Sequence, residues 1–197
     1  MSAKKGPSDE LPVKIVLIGA LGAGKTSLIK KYCEYSGELK ETIHKSMTAF
    51  NRRLKLVFPD TCGAEEIATV TSALYQNASC CIYVYDSTSV DSFKDIQNNW
   101  INEFKRFAPN KGQLPQIVCA NKCDLPNAVT DDIKNKFLTE HNFKEYKTSV
   151  TTGQGIEQMF NELLPLAIEE AIKQLKAKGK TPPPLLKKEK SGKCVFL

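Results

Sequence analysis

Long apolar runs are missing from this chain. Nowhere in its 197 residues do about 18 consecutive apolar side chains occur, the least that spans a bilayer as a helix, so no transmembrane helix is expected. Met1-Ser-Ala-Lys-Lys-Gly-Pro7 has no apolar core of the kind a secretory signal needs. Ser2 stands where N-myristoylation would require glycine. Histidine is scarce, with two residues, and the seven cysteines (33, 62, 80, 81, 119, 123 and 194) are scattered. Cys119 and Cys123 lie too far from other cysteines or histidines to suggest zinc. The pattern predicts reduced, packed thiols instead of a disulfide framework. Acidic residues are nearly absent from the tail: residues 173–197 hold eight lysines against Glu189 alone, a balance of +7. The rest of the chain carries −1 of the net +6. A body without basic excess argues against nucleic-acid binding, and the tail points to an anionic membrane surface.

What is present is an alternation of strand and helix patterns. Apolar runs at residues 15–19, 54–58, 80–85 and 116–120 read as core strands, with a shorter one near 146–150. Amphipathic segments at 25–35, 65–77, 91–107 and 130–140 lie between them. From about Gly153, Ile156, Phe160, Leu163, Leu164, Ala167, Ile168, Ala171, Ile172 and Leu175 recur at helical spacing. Pro165 is expected to interrupt and kink this last helix, because it lacks a backbone donor. The expected fold is α/β: a single, mostly parallel sheet of about six strands with helices on both faces and a ligand at the carboxyl ends of the strands. Residues 1–11 read as a disordered extension, 12–177 as the domain, and 178–197 as a Pro/Lys-rich tail. Thr181-Pro-Pro-Pro184 is expected to start a stiff, extended segment.

The stretch Gly19-Ala-Leu-Gly-Ala-Gly-Lys-Thr26 fits G-x-x-x-x-G-K-[ST], the phosphate-binding P-loop, between a strand and a helix. The loop and helix start, from Gly22, Ala23 and Gly24 to Ser27, would turn backbone N–H groups toward a phosphate chain, and the helix N-terminus adds its dipole. Lys25 would reach the β- and γ-phosphates, and the Thr26 hydroxyl would bind Mg²⁺.

Three later segments stand in matching order. Asp60-Thr-Cys-Gly63 follows a strand, so Asp60 could hold Mg²⁺ through water and the Gly63 N–H could approach the γ-phosphate. Asn121-Lys-Cys-Asp124 follows the next strand. The Asp124 carboxylate can accept from the ring N–H and amino group of guanine, an arrangement adenine does not offer, while the Lys122 stem covers the base. In Thr148-Ser-Val150, backbone N–H groups at Ser149 and Val150 could meet the guanine oxygen. Together with the P-loop, these segments select guanine.

With these motifs in order, residues 12–176 resemble a small GTPase of the Ras superfamily, a P-loop NTPase. Thr71-Ser-Ala-Leu-Tyr75, Tyr85-Asp-Ser-Thr88 and Ser92-Phe93 through Trp100 resemble Rab-type members in particular. The resemblance implies GTP and GDP as ligands with Mg²⁺, and a switch that changes partners with the γ-phosphate, acting as a monomer with effectors and exchange factors.

The chain also departs from that family. Leu21 stands where Ras-type members usually have Gly, and Ala64 where the family usually has the Gln that orients the attacking water. That glutamine with a partner's arginine finger supplies about 10³–10⁵ in rate. Slow, poorly stimulated GTP hydrolysis is therefore expected, unless a side chain such as Glu65 compensates. In the first switch, Thr42 resembles the family's Mg²⁺-contacting threonine, with Thr48 the alternative. The interval from Thr42 to Asp60 is short, and Pro59 is unusual at a strand end. Tyr35 is the candidate to stack on the base.

Cys194-Val-Phe-Leu197 matches C-a-a-X, with Leu favouring geranylgeranyl and hence a prenyltransferase as partner. Lysines 187, 188, 190 and 193 would supply the second membrane signal, at about 1 kcal/mol each. The expected protein is a prenyl-anchored GTP switch on the cytoplasmic face of a membrane. The rival reading is a non-cycling GTP-binding adaptor. A nucleotide kinase is disfavoured, since Asn121–Asp124 reads a base.

Overall fold

The computed structural model describes residues 9–38, 42–59 and 73–186. Six strands form one sheet: β1 (Leu11–Ile18), β2 (Thr42–Ala49), β3 (Arg52–Pro59), β4 (Cys80–Asp86), β5 (Gln116–Asn121) and β6 (Glu145–Lys147). Their spatial order is β2-β3-β1-β4-β5-β6. Every pairing is parallel except β2 with β3, which form an antiparallel hairpin. The expected α/β sheet is present.

The central strands are buried on both faces. β4 is buried from Cys80 to Tyr85, and β1 from Ile15 to Ile18, which is why they read as unbroken apolar runs. β2 was not among the expected strands, for a physical reason. It is an edge strand in which only Ile43 is buried, so its Thr-Ile-His-Lys-Ser-Met-Thr-Ala sequence carries little apolar signal. β6 is also shorter and earlier than expected, ending at Lys147.

Helices cover both faces. α1 (Lys25–Cys33) and the last helix, Ile156–Ala177, lie over one hydrophobic cluster that includes Leu17, Phe58, Val84 and Phe160. Tyr32 of α1 stacks on Phe160 at 3.7 Å between ring centroids, and Phe58 meets Phe160 edge-on at 5.9 Å. On the other face, α2 (Val90–Asp95), a π-helical turn (Ile96–Trp100), α3 (Ile101–Phe107) and α4 (Asp131–His141) surround Tyr75, Tyr83, Tyr85 and Phe104. The segment expected as one helix over 91–107 is thus helical throughout but widens at its centre. There the Asp95 carboxylate accepts from Asn99 and from the Trp100 indole N–H at 2.6 Å.

Pro165 does not break the last helix, here α5, which runs from Ile156 to Ala177 around it. Leu163, Leu164, Ala167 and Ile168 flank the proline and are all buried. Their packing outweighs one missing backbone bond. Of the helix expected over 65–77, residues 73–75 are helical and 65–72 lie outside the described residues. The tail does not simply extend away. Arg52 donates to the Pro183 carbonyl at 2.6 Å, and the Leu186 N–H donates to the Asn51 carbonyl at 2.7 Å. Residues 183–186 therefore lie on the tip of the β2–β3 hairpin.

Candidate nucleotide-binding site

The site is built at the carboxyl ends of β1, β5 and β6, where the chain leaves the sheet into three loops. The first is the loop from Gly19 to Gly24, and β1 delivers it against β4. A Cβ at Gly19 would lie 1.9 Å from the Val84 carbonyl, so only glycine lets the two strands approach this closely. Gly24 has φ +94, and a Cβ there would stand 2.3 Å from the Asn121 side-chain nitrogen. The loop closes on itself through the Ala23 N–H to the Ala20 carbonyl at 3.2 Å. Lys25 opens α1, is 5% exposed, and donates from Nζ to the carbonyls of Gly19 (2.5 Å) and Ala20 (3.1 Å). Its ammonium is held on the loop itself, inside a ring of backbone. Thr26 and Ser27 follow in the first turn, with Ser27 exposed. Leu21, at the apex, is 82% exposed.

The second loop follows β5. Asn121 is its last residue, 1% exposed, and its amide donates to the Ala23 carbonyl at 2.8 Å. Thr148 Oγ1 donates to the Asn121 side-chain oxygen at 3.2 Å. Asn121 is thus a tie between the first loop and the third. The third loop follows β6. The Thr148 N–H donates to the Ala120 carbonyl at 2.8 Å, and the Cys123 N–H donates to the Thr148 carbonyl at 3.0 Å. Ser149 is fully buried, and its hydroxyl accepts from the Thr152 N–H at 3.1 Å. These bonds lock 121–124 and 148–150 into one unit, with Asp124 exposed on its rim and Val150 half-buried.

Lys122 adopts φ +63, and its ammonium sits 2.5 Å from Asp86 at the end of β4. Burial would raise the Asp86 carboxyl. The hydrogen bonds from Lys122 and Thr88 outweigh it and hold the group below its ordinary range. Sequence reasoning missed this partner. Its only trace was Tyr85-Asp-Ser-Thr88, noticed for resemblance and not for the contact it makes. Cys119 packs against Thr148 at 3.1 Å, and burial pushes its thiol up to about 12. Burial also raises Cys123, which lies beside the Asp124 charge. Both thiols are held as packing groups, un-ionised near neutrality.

A cavity of about 750 Å³ opens beside these loops, walled by Ser27, Tyr32, Tyr35, Val150, Gly153 and Ile156. Tyr35 donates to the Glu38 carbonyl at 3.0 Å, which folds the chain after α1 back over this cavity.

The structure brings Gly22, Ala23, Gly24, Lys25, Asn121, Lys122, Ser149 and Val150 to one end of the sheet. Thr42 is the first residue of β2 and pairs with Pro59, immediately before Asp60. Pro59 is tolerated because it closes its strand against an edge strand. Thr48, the alternative, pairs with Arg53 at the far end of the hairpin. Asp60, Gly63, Ala64, Glu65 and Cys194 lie outside the described residues.

Comparison with known proteins gives a consistent answer. The model of the Ras family matches residues 14–169. The chain is 34% identical over 165 residues to the Ras-related protein Rab-18 of Caenorhabditis briggsae, covering 80% of this chain and 81% of that one. It is 30% identical over 194 residues to the Ras-related protein Rab-13 of Bos taurus, covering 92% and 94%. It is also 32% identical over 168 residues to the Ras-related protein Rab-5B of Plasmodium falciparum, covering 81% and 80%.

Proposed function

This chain belongs to the Ras family and is Rab-like, and from that premise we propose that it is a GTP/GDP switch of vesicle traffic or signalling that cleaves GTP slowly. The observation that carries the reading is the tie through Asn121. One buried amide joins the phosphate loop to the loop bearing Asp124, so phosphate and base are read by a single rigid unit.

The residues fit a nucleoside triphosphate. Lys25 is a buried cation whose described partners are loop carbonyls, a seat from which it can turn to phosphate oxygens. It is the first residue of α1, so the helix N-terminus lies beside it. Asp124 accepts the two N–H donors of guanine. Lys122, held by Asp86, lies along the base; the Ser149 N–H is taken by the Gln154 carbonyl at 3.1 Å, so the Val150 N–H is the one assigned to the guanine oxygen. Thr26, Asp60 and Thr42 are the residues assigned to Mg²⁺, which would neutralise the charge that builds up on the β–γ bridging oxygen during cleavage. Thr42 fits that assignment by its pairing beside Asp60.

Slow turnover follows from two side chains. Ala64, after Gly63, carries no polar group to orient water. Leu21 holds an exposed apolar side chain at the loop apex, where an incoming arginine would have to pass. A single-turnover assay on GTP-loaded protein is expected to give slow hydrolysis that Ala64→Gln raises at least 10-fold. Wild-type hydrolysis at the rate usual for the family would overturn this reading. Cys194 is the residue we assign to a prenyl anchor, with exchange factors and effectors acting on the protein at an anionic membrane. Cys194→Ser should leave it in the soluble fraction.

A further inference from the structure

The pole opposite the nucleotide site carries features that the switch does not use. The β2–β3 hairpin turns through Phe50 and Asn51, both left-handed at φ +52 and +55. Such two-residue turns favour Asn and Gly, because a side chain with a bulky ring is strained at positive φ. Phe50 occupies the strained position and is nevertheless 50% exposed, so burial does not repay the strain. The strap from the tail passes beside it: Leu186 is bonded to Asn51, Arg52 to Pro183, and Leu185 is 59% exposed. Two large apolar side chains therefore flank one pinned point of contact. Beside the turn are Arg52, held on Pro183, and Arg53, 4.0 Å from Asp9; Lys180 is exposed and lies three positions before Pro183 in sequence, while Lys178 donates to Asn77. The next residues in sequence are Lys187 and Lys188.

We propose that this pole is a membrane-docking face, in which Phe50 and Leu185 enter the interface of an anionic bilayer while Arg52 and the tail lysines meet its headgroups. This deepens the membrane reading above and rests on it. The occupant follows from the chemistry: an aromatic and an aliphatic tip inside a cationic rim match the apolar–anionic layering of such a surface. The strap fixes where the tail leaves the domain. A tail pinned at the hairpin would hold the nucleotide site facing the cytosol, whereas a free tail would leave the domain to tumble. An orientation of this kind would keep the switch loops open to partners.

The test uses the unprenylated full chain with vesicles of phosphatidylcholine containing 30% phosphatidylserine, by flotation. Binding is expected to be salt-sensitive and to fall at least 5-fold in Phe50→Asn, which suits the turn and should raise the melting temperature. In Phe50→Trp, vesicles should shift the emission to the blue, against a native Trp100 that is buried. Wild-type binding by Phe50→Asn with no shift in Phe50→Trp would overturn docking while leaving the tail's role intact. Absence of any binding to anionic vesicles would also overturn it, and would not bear on prenylation at Cys194. Equal binding to neutral and anionic vesicles would remove the electrostatic half of the proposal and refute it as stated.

Discussion

Gly24 shows how much of the site rests on single atoms. Its positive φ and the 2.3 Å approach that a Cβ would make to Asn121 place two independent demands on one position. Gly24→Ala is expected to reduce guanine-nucleotide affinity at least 10-fold and to cost about 1–3 kcal/mol of stability through strain and overpacking. Titration with a fluorescent GDP analogue checks the first, urea unfolding the second. Unchanged affinity would mean that the tie from Asn121 to the loop is dispensable. Gly24, Lys25, Asn121 and Asp124 were all legible in the sequence, because their chemistry depends on residue type at short spacing. Asp86 was not. Its contact with Lys122 joins the ends of two strands that only the parallel sheet sets side by side.

At the scale of elements, α5 acts as the back plate of the site. Its Phe160 fills the space between Tyr32 of α1 and Phe58 of β3, and so supports the helix that begins with Lys25. Phe160→Ala is expected to cost about 3–5 kcal/mol, read as a lower urea midpoint with a nearly unchanged slope. A loss under 1 kcal/mol would show that the α1–α5 contact is not a structural necessity. The same element explains why Pro165 does not end the helix. A helix interior proline is costly in isolation, but here the residues on both sides of it are buried against β1 and its neighbours. β2 failed to register for the opposite reason: an edge strand with one buried residue owes its existence to hydrogen bonds with β3, not to its own apolar pattern.

Across the whole molecule, binding and folding are linked. The first loop of the site is 98 positions from the second, measured from Ala23 to Asn121, and the third a further 27 on at Thr148, all joined through the Asn121 side chain. A ligand that engages all of them stabilises only the folded state. GDP with Mg²⁺ at 100 times its dissociation constant is expected to add about 2.7 kcal/mol, a rise of roughly 5–10 °C in melting temperature, while ATP at the same concentration should add little. A differential scanning measurement checks it, and equal shifts from ATP and GDP would contradict guanine selection by Asp124.

The sequence by itself determined the ligand class, the central strands and the departures at Leu21 and Ala64, because these follow from residue type, short spacing and hydrophobic period. The tertiary structure alone decided that Thr42 and not Thr48 lies at the nucleotide end of the hairpin, since register is a property of two strands together. It alone placed Asp86 on Lys122. It alone turned the proline-rich tail back onto Asn51 and Arg52, through bonds spanning 135 and 131 positions. No local pattern encodes such contacts, because they form only after the sheet has set both partners at the same pole.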